Sequence, residues 1–528
     1  MSGVMILSLS TVIVKIIGLA YKIPMMSILG AQGMGYFNSA YEIYAMLCVI
    51  STAGLPVALS MLIASSSERG DAYAKRRIYR CALAVFLTLG GVGSAAMMLF
   101  SRRIADLIGN EDAAFCILAI APALFCVCFS GAVRGYFQGL GRMAPTAISQ
   151  LIEAICKLIF GVWFASIAYK RGLSLPMVSA FAVLGLSLGT LLSALYLLFL
   201  KAIEPREVNG NEKRTKDGTL SRLLRIAVPI TLSSAVLNIT RLVDMTLILG
   251  RLQSVGYSAA EANEVYGAYT TLAVPVFSLI PSLITPISLA LVPQLSAAIE
   301  ARSHDGEATL ADRSVRLTVL LAMPASMGIA LYAKPILNVL FSNETEAVEL
   351  SAPLLSLLGV SILFSGLITT TNAILQSYRS TVKPIISMAA GALVKIVSAY
   401  ALLGMPSVGV FGAPVSTFLC NLTVTVMNFC FLGERVPKSR MSSGFLQIYL
   451  KPFAASVLSM LASVAVYMPI IRITQSQTLS FFAAASFAVL IYAVFAFLFR
   501  IITEDDIALI PMGSRILSKT KSKNKINI

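Results

Sequence analysis

The sequence predicts an all-α integral membrane protein of fourteen transmembrane helices, arranged as two parallel six-helix repeats followed by two C-terminal helices. Three observations carry that prediction. Of 528 residues, 57% are hydrophobic and only 12% charged, with mean hydropathy +0.83, an apolar excess that lipid accepts as solvent and water does not. The apolar residues gather into fourteen segments near the roughly 20 residues a helix needs to cross a bilayer. Lysines and arginines concentrate in alternate connections between those segments.

In order, the segments are 3–29, 36–66, 81–101, 114–133, 144–169, 175–200, 225–250, 265–295, 315–333, 348–376, 384–404, 407–433, 446–471 and 475–501. Gly54-Leu55-Pro56 interrupts the second, and Pro281, Pro286 and Pro293 the eighth, so both are expected to kink. The first segment does not read as a cleaved signal peptide: its apolar run is too long, holds Lys15 and Lys22, and ends without a small-residue cleavage pattern.

Orientation follows from the basic residues. With the N-terminus inside, the inner connections and tail hold 29 of the 41 lysines and arginines, and the outer connections only seven. This predicts a multi-pass protein of the bacterial cytoplasmic membrane with both termini cytoplasmic. The net charge of +16 is then mainly a topology signal. The basic residues are scattered over short loops with no folded module to present them, which argues against a nucleic-acid partner. Lys519, Lys521, Lys523 and Lys525 in the tail are expected near anionic headgroups. All eight cysteines fall within apolar segments, so no structural disulfide is expected.

The expected organisation is an N-lobe at 1–200, a polar cytoplasmic linker at 201–224, a C-lobe at 225–433, two further spans at 434–502, and a basic tail at 503–528. The lobes resemble each other. Ser8 to Lys15 lies over Thr231 to Asn238, Pro56 to Ser60 over Pro286 to Ala290, and Phe137-Gln138 with Pro145 and Lys157 over Leu375-Gln376 with Pro384 and Lys395. A duplicated unit with an even number of spans gives parallel repeats, an architecture that places substrate between its halves.

Five cations stand inside apolar segments: Lys15, Lys22, Lys157, Arg241 and Lys395. Each costs at least ~2.5–3.5 kcal/mol at mid-membrane, so such residues normally face a watery cavity. The same segments carry only Glu42, Glu153 and Asp244, so the balance favours an anionic ligand. Helical spacing groups these residues. Lys15 and Lys22 lie two turns apart on one face. Gln150, Glu153 and Lys157 follow i, i+3, i+7, with Glu153 and Lys157 a favourable i,i+4 pair. Thr231, Ser234, Asn238, Arg241 and Asp244 form a third stripe. The competing reading is that Glu153–Lys157 and Arg241–Asp244 merely neutralise each other between helices. Lys15, Lys22 and Lys395 have no counter-ion one turn away on their own helices.

Catalytic readings are poorly supplied. The single histidine, His304, sits in an expected inner loop and cannot form a paired-histidine metal site, and no phosphate-loop motif is present. Gly135, Gly139 and Gly141 read as a turn after the fourth segment. No enzyme activity, cofactor or metal is expected.

Two stretches resemble a known family. Arg134-Gly-Tyr-Phe-Gln-Gly-Leu-Gly-Arg142 and its continuation to Lys157, with Gly54-Leu-Pro-Val-Ala-Leu-Ser60, resemble the polysaccharide biosynthesis protein family in its stage V sporulation protein B-like branch. Asn238-Ile-Thr-Arg-Leu-Val-Asp244 and Leu291-Val-Pro-Gln294 are similar to its second-half segments. That family belongs to the multidrug/oligosaccharidyl-lipid/polysaccharide exporter superfamily, beside the lipid II flippases. The resemblance implies a V-shaped bundle that moves an undecaprenyl-diphosphate-linked saccharide outward, with a lipid-tail groove on the last two spans. Lipid II flippases carry cavity arginines on the first helix; Lys15 occupies one such position, and Tyr21, with Lys22 beside it, the other. Their basic residues on helix two have no counterpart, Glu42 being the charged residue of that span.

The expected function is therefore a flippase or exporter of a lipid-linked saccharide, a cell-wall or polysaccharide precursor such as lipid II. Its expected substrate-binding residues are Lys15, Lys22, Gln150, Glu153, Lys157, Asn238, Arg241, Asp244 and Lys395. The partners are the lipid-linked saccharide, membrane lipids and a coupling ion, H+ or Na+, with the chain a monomer. The rival readings are a cation-coupled multidrug exporter and a non-transporting scaffold for envelope assembly.

Overall fold

The computed structural model describes residues 3–204, 218–301, 304–378, 380, 382–434 and 446–499. Most of the expected linker, Arg379 and the basic tail at 503–528 lie outside the described residues. Among the described residues there are seventeen α-helices and no strand. Among the described residues twelve segments are long and apolar enough to cross a membrane; the first, Ser10–Glu68, covers most of the first two expected spans, and the expected seventh span, 225–250, is not among the twelve. Large apolar side chains face outward, Val489 at 71% exposure and Phe497 at 81%, as an acyl-chain environment requires. The chain divides into two compact units.

The first unit comprises Met1–Thr271 with Ala399–Val410. Helix α1, Gly3–Thr52, is interrupted at Gly30, where φ is +63° and only glycine is at ease. The chain reverses there. Tyr21 and Phe37 would stand about 24 Å apart along a straight helix at 1.5 Å per residue, yet their ring centroids are 6.0 Å apart. The break expected at Gly54-Leu55-Pro56 is present, since α2 opens at Leu55 and runs to Glu68. Helices α3 (Ala72–Leu99), α4 (Ser101–Leu107), α5 (Ala114–Gly139), α6 (Ala144–Lys170) and α7 (Leu175–Ile203) follow. Asp71 caps α3 by accepting from the Ala74 N–H at 2.8 Å. Helix α8 (Thr219–Ser254) leads to α9 (Ala259–Ala268), which starts with a reciprocal Ser258–Glu261 capping box.

Helix α5 departs from expectation in a way that matters for the site. It continues six residues past the expected end of its span, so Arg134, counted as a loop residue, is a half-buried helical one. Gly135 and Gly139 are not turn residues either. A Cβ on Gly135 would lie 2.9 Å from the Pro56 carbonyl oxygen, and one on Gly139 2.7 Å from the Ser60 carbonyl oxygen. They let α2 lie directly on α5. Only Gly141, at φ +73°, makes the turn.

The second unit comprises Leu272–Ser398 and Phe411–Ile528. Its helices are α10 (Val274–Glu300), α11 (His304–Leu331), α12 (Ala333–Leu340), α13 (Thr345–Ser377), α14 (Val382–Leu403), α15 (Gly412–Gly433), α16 (Lys451–Thr474) and α17 (Gln477–Leu498). His304 thus opens a helix instead of lying in a loop. The eighth expected span carries a π-helical turn, Tyr269–Ala273, just before Pro275, and α10 runs on past its inner prolines. Leu295, Val319, Met323, Leu367 and Leu375 form the core of the unit. Beside it Asn428, fully buried, donates to Thr371 at 2.9 Å and Asn372 at 2.8 Å and accepts from Ser387 at 2.6 Å. An apolar cavity of about 380 Å³ opens along α11, α16 and α17, lined by Leu320, Pro324, Tyr332, Met460, Phe481 and Tyr492.

Candidate functional site

Eight of the nine expected binding residues belong to the first unit. Lys15 and Lys22 sit on the outgoing half of α1, Gln150, Glu153 and Lys157 on α6, and Asn238, Arg241 and Asp244 on α8. Lys395, half-buried, lies on α14 in the second unit.

The α1 hairpin brings its own residues together. Lys22 Nζ donates to the Thr270 carbonyl oxygen at 2.9 Å. That carbonyl is accessible because Thr270 lies in the π-helical turn, where regular i→i+4 pairing is displaced. From the returning half, Asn38 Nδ2 donates to the hydroxyls of Thr270 at 3.0 Å and Thr271 at 2.8 Å. Glu42, also on the returning half, lies within electrostatic reach of Lys22, as does Lys157.

On α6 the residues divide their roles. Lys157 Nζ stands over three aromatic rings of the hairpin, 4.9 Å from Tyr21, 5.1 Å from Tyr41 and 5.9 Å from Phe37. Each ring face attracts a desolvated ammonium by roughly 0.5–2 kcal/mol. Glu153, expected to pair with Lys157 one turn on, takes Arg134 as its direct partner instead, at 3.0 Å. The same guanidinium donates to Ser149 at 2.9 Å and Ser193 at 3.0 Å, so α5, α6 and α7 are tied through one side chain. One turn earlier, Gln150 Oε1 is buried with no partner among the described residues, as is the Tyr21 hydroxyl. Gln150 thus keeps an acceptor unspent.

On α8, Arg241 is exposed and Asp244 half-buried. Arg241 and Lys15 act on each other electrostatically, so the first and third stripes do converge. Asn238 donates back to the Ser234 carbonyl of its own helix at 3.1 Å. Thr231 accepts from the Gly54 N–H at 3.2 Å, closing α8 onto the α1–α2 break.

The first unit therefore carries Lys15, Lys22, Lys157 and Arg241 on α1, α6 and α8, beside the carboxylates Glu42 and Asp244, with Glu153 engaged by Arg134. Like charges held together in a poorly screened setting repel. A multivalent anion relieves that repulsion, and a diphosphate has the charge density to do so. Three participants escaped sequence reasoning: Arg134, because the apolar run ends before it; the Tyr21–Phe37–Tyr41 box, because rings in an apolar span look like core; and Asn38, whose partner is 232 residues away. The Tyr36 to Tyr44 aromatic run at helical spacing is the one signal that pointed to the box.

Comparison with known proteins identifies the family. Residues 1–299 match the family described as polysaccharide biosynthesis protein, and residues 229–401 match the MatE family. Stage V sporulation protein B of Bacillus subtilis (strain 168) is 25% identical over 526 residues, covering 98% of each chain. Lipid II flippase MurJ of the same organism is 26% identical over 416 residues, covering 75% of this chain and 76% of that one. A solved structure of lipid II flippase MurJ in an inward closed conformation superposes with a TM-score of 0.71 at 15% identity, over 94% of this chain and 98% of that one. That likeness speaks to the fold, and the family match covers more than half the sequence. The chain belongs to the polysaccharide biosynthesis protein family.

Proposed function

We propose that this protein flips an undecaprenyl-diphosphate-linked saccharide across the cytoplasmic membrane by alternating access. The observation that carries the proposal is the set of cations, Lys15, Lys22, Lys157 and Arg241, that α1, α6 and α8 bring into one unit, Lys15 acting on Arg241 and Lys22 on Lys157. Cations in apolar segments outnumber the carboxylates beside them, and an anionic diphosphate is a ligand that such an excess suits. Gln150, Asn238 and the hydroxyl groups nearby supply the neutral partners a saccharide needs. The apolar cavity along α11, α16 and α17 is suited to an isoprenoid chain that stays in the bilayer while the headgroup crosses. The names of the relatives, a sporulation protein and a lipid II flippase, support the same substrate class.

In this reading the chain crosses the membrane fourteen times with both ends cytoplasmic and works as a monomer, and Lys395 joins the substrate-binding set. The match of residues 229–401 to the MatE family favours coupling to H+ or Na+. It also keeps a cation-coupled drug exporter as a second reading, which the excess of cations over carboxylates on α1, α6 and α8 disfavours.

The test is leaflet accessibility of lipid-linked sugars in cells depleted of the protein. The proposal expects them to accumulate on the inner leaflet. Restoring wild-type protein should clear them, and Lys15→Ala at matched membrane levels should not. Full clearance by Lys15→Ala would remove Lys15 from the diphosphate site. An unchanged sugar distribution on depletion would remove the flippase reading itself.

A further inference from the structure

A polar cavity of about 540 Å³ opens in the first unit where α2 ends and α3 begins, and none of the candidate-site cations lines it. Arg69 enters it from the end of α2, Arg77 from the first turns of α3, and Arg222 from the first turn of α8. Arg69 and Arg222 are exposed, and Arg77 is half-buried. The carboxylate in the described lining is Asp71, which is occupied in capping α3 through the Ala74 N–H at 2.8 Å. Three guanidinium groups thus line one cavity whose described carboxylate, Asp71, is engaged in a helix cap. Ser65, Tyr73 and Thr219 add hydroxyl donors. Thr219 also opens α8, whose first turn has no side-chain cap, so the positive end of a 36-residue helix adds to the same field.

A packing role does not explain this arrangement. Arginines that only solubilise a loop point apart into water; here three converge on one concavity large enough for a ligand group. Guanidinium forks suit the oxygens of phosphate, and hydroxyls and amides complete its shell. We propose that this cavity binds a phosphate-bearing anion at the membrane surface, as a site separate from Lys15 and Arg241. The anion comes either from an anionic phospholipid headgroup or from a diphosphate group, since the two share the chemistry recognised here. The site does not depend on which cargo, if any, is flipped.

The test uses the full-length protein in nanodiscs and reads phenylglyoxal modification of individual arginines by mass spectrometry, with exposed Arg171 as the internal reference. Two probes distinguish the sources: inorganic pyrophosphate added to phosphatidylcholine discs, and replacement of phosphatidylcholine by phosphatidylglycerol. Occupancy should slow modification of Arg69 and Arg222 about ten-fold relative to Arg171, an occupancy equivalent to about 1.4 kcal/mol. Protection by phosphatidylglycerol alone assigns a lipid headgroup, and protection by pyrophosphate assigns a diphosphate. Arg69→Gln/Arg222→Gln should weaken binding of the effective probe about ten-fold, read as adducts in native mass spectra, and Arg69→Lys/Arg222→Lys should restore part of it. Lys15→Ala should leave the protection unchanged. The proposal is overturned if neither probe slows the two arginines, if the glutamine variant binds like wild type, or if Lys15→Ala abolishes protection and so moves the anion to the other site.

Discussion

Arg134 shows why charges inside a membrane have to be assigned by geometry. Its sequence neighbours end an apolar run, so it reads as a loop cation, yet it binds Glu153, Ser149 and Ser193 at once. The pair is partly exposed, 15% and 29% for the two side chains, so it is worth less than a fully buried pair, but losing one partner still strands a carboxylate among helices. Arg134→Ala should therefore lower the melting temperature of the purified protein, and Arg134→Ala/Glu153→Gln should recover most of the loss; a double variant no more stable than Arg134→Ala would mean the contact is incidental. The opposite pattern belongs to α8. Arg241 is exposed and acts on Lys15, a like charge, and the proposed site makes it a ligand of the anion as well as a neighbour of Asp244. Transport by Arg241→Ala/Asp244→Ala should remain as low as by Arg241→Ala alone. Recovery toward wild type at matched expression would make the two a structural pair. Glu153, Arg241 and Asp244 were legible in the sequence, because an ionisable residue in an apolar segment is conspicuous, whereas Arg134 follows the end of its run. Their partners were not, because Arg134 and Glu153 meet only once α5 and α6 are packed, and the three rings around Lys157 come from both halves of a hairpin.

At the scale of elements, apolar runs located the helices well and their ends poorly. The expected spans fall on helices, because a stretch free of charge is visible whatever it packs against. The ends depend on close approach. Gly135 and Gly139 look like turn residues and are instead the surface on which α2 lies, a choice made by the Pro56 and Ser60 backbone and not by local propensity. In the same way the π-helical turn at Tyr269–Ala273, where Thr270 offers its carbonyl to Lys22, has no signal in local propensity. The cavity along α11, α16 and α17 was expected only from family resemblance, since apolar lining residues are indistinguishable in sequence from lipid-facing ones. It gives a test at this scale. Ala485 and Ala488 line the cavity from α17. Ala485→Trp should fill much of it while leaving membrane accumulation intact, because the cavity rather than the core receives the ring. Growth dependent on the protein should fall, and crosslinking of a photoreactive isoprenoid diphosphate to α16 and α17 should fall with it. Unchanged crosslinking would remove the lipid chain from this cavity.

For the whole molecule, the distribution of charge predicts the orientation, and orientation decides which side of the membrane the basic cavity serves. Twenty-nine of 41 lysines and arginines fall on the side assigned to the cytoplasm, among them Arg69, Arg77 and Arg222 of the basic cavity. The bias concerns short loops close to helix ends, where it governs insertion most strongly. Reporters fused after Gly210 and at Ile528 should both read cytoplasmic. The external probe belongs at Gly172, in an exposed turn at φ +68°, and not at Asn110, which is buried and bonded to Ser39 at 3.0 Å and Asn263 at 2.7 Å. A cysteine at position 172 should react with a membrane-impermeant maleimide in intact cells, while the native cysteines, all within helices, should not. If Gly210 and Ile528 fall on opposite sides, an odd number of crossings separates them. Two parallel repeats with two added helices cannot produce that result, so the fourteen-span topology would fail with it. If all three sites read as expected, α2 and α3 meet on the inner face, the basic cavity opens toward the leaflet in which lipid-linked precursors are made, and a flippase would meet its anionic cargo on the side where its arginines stand.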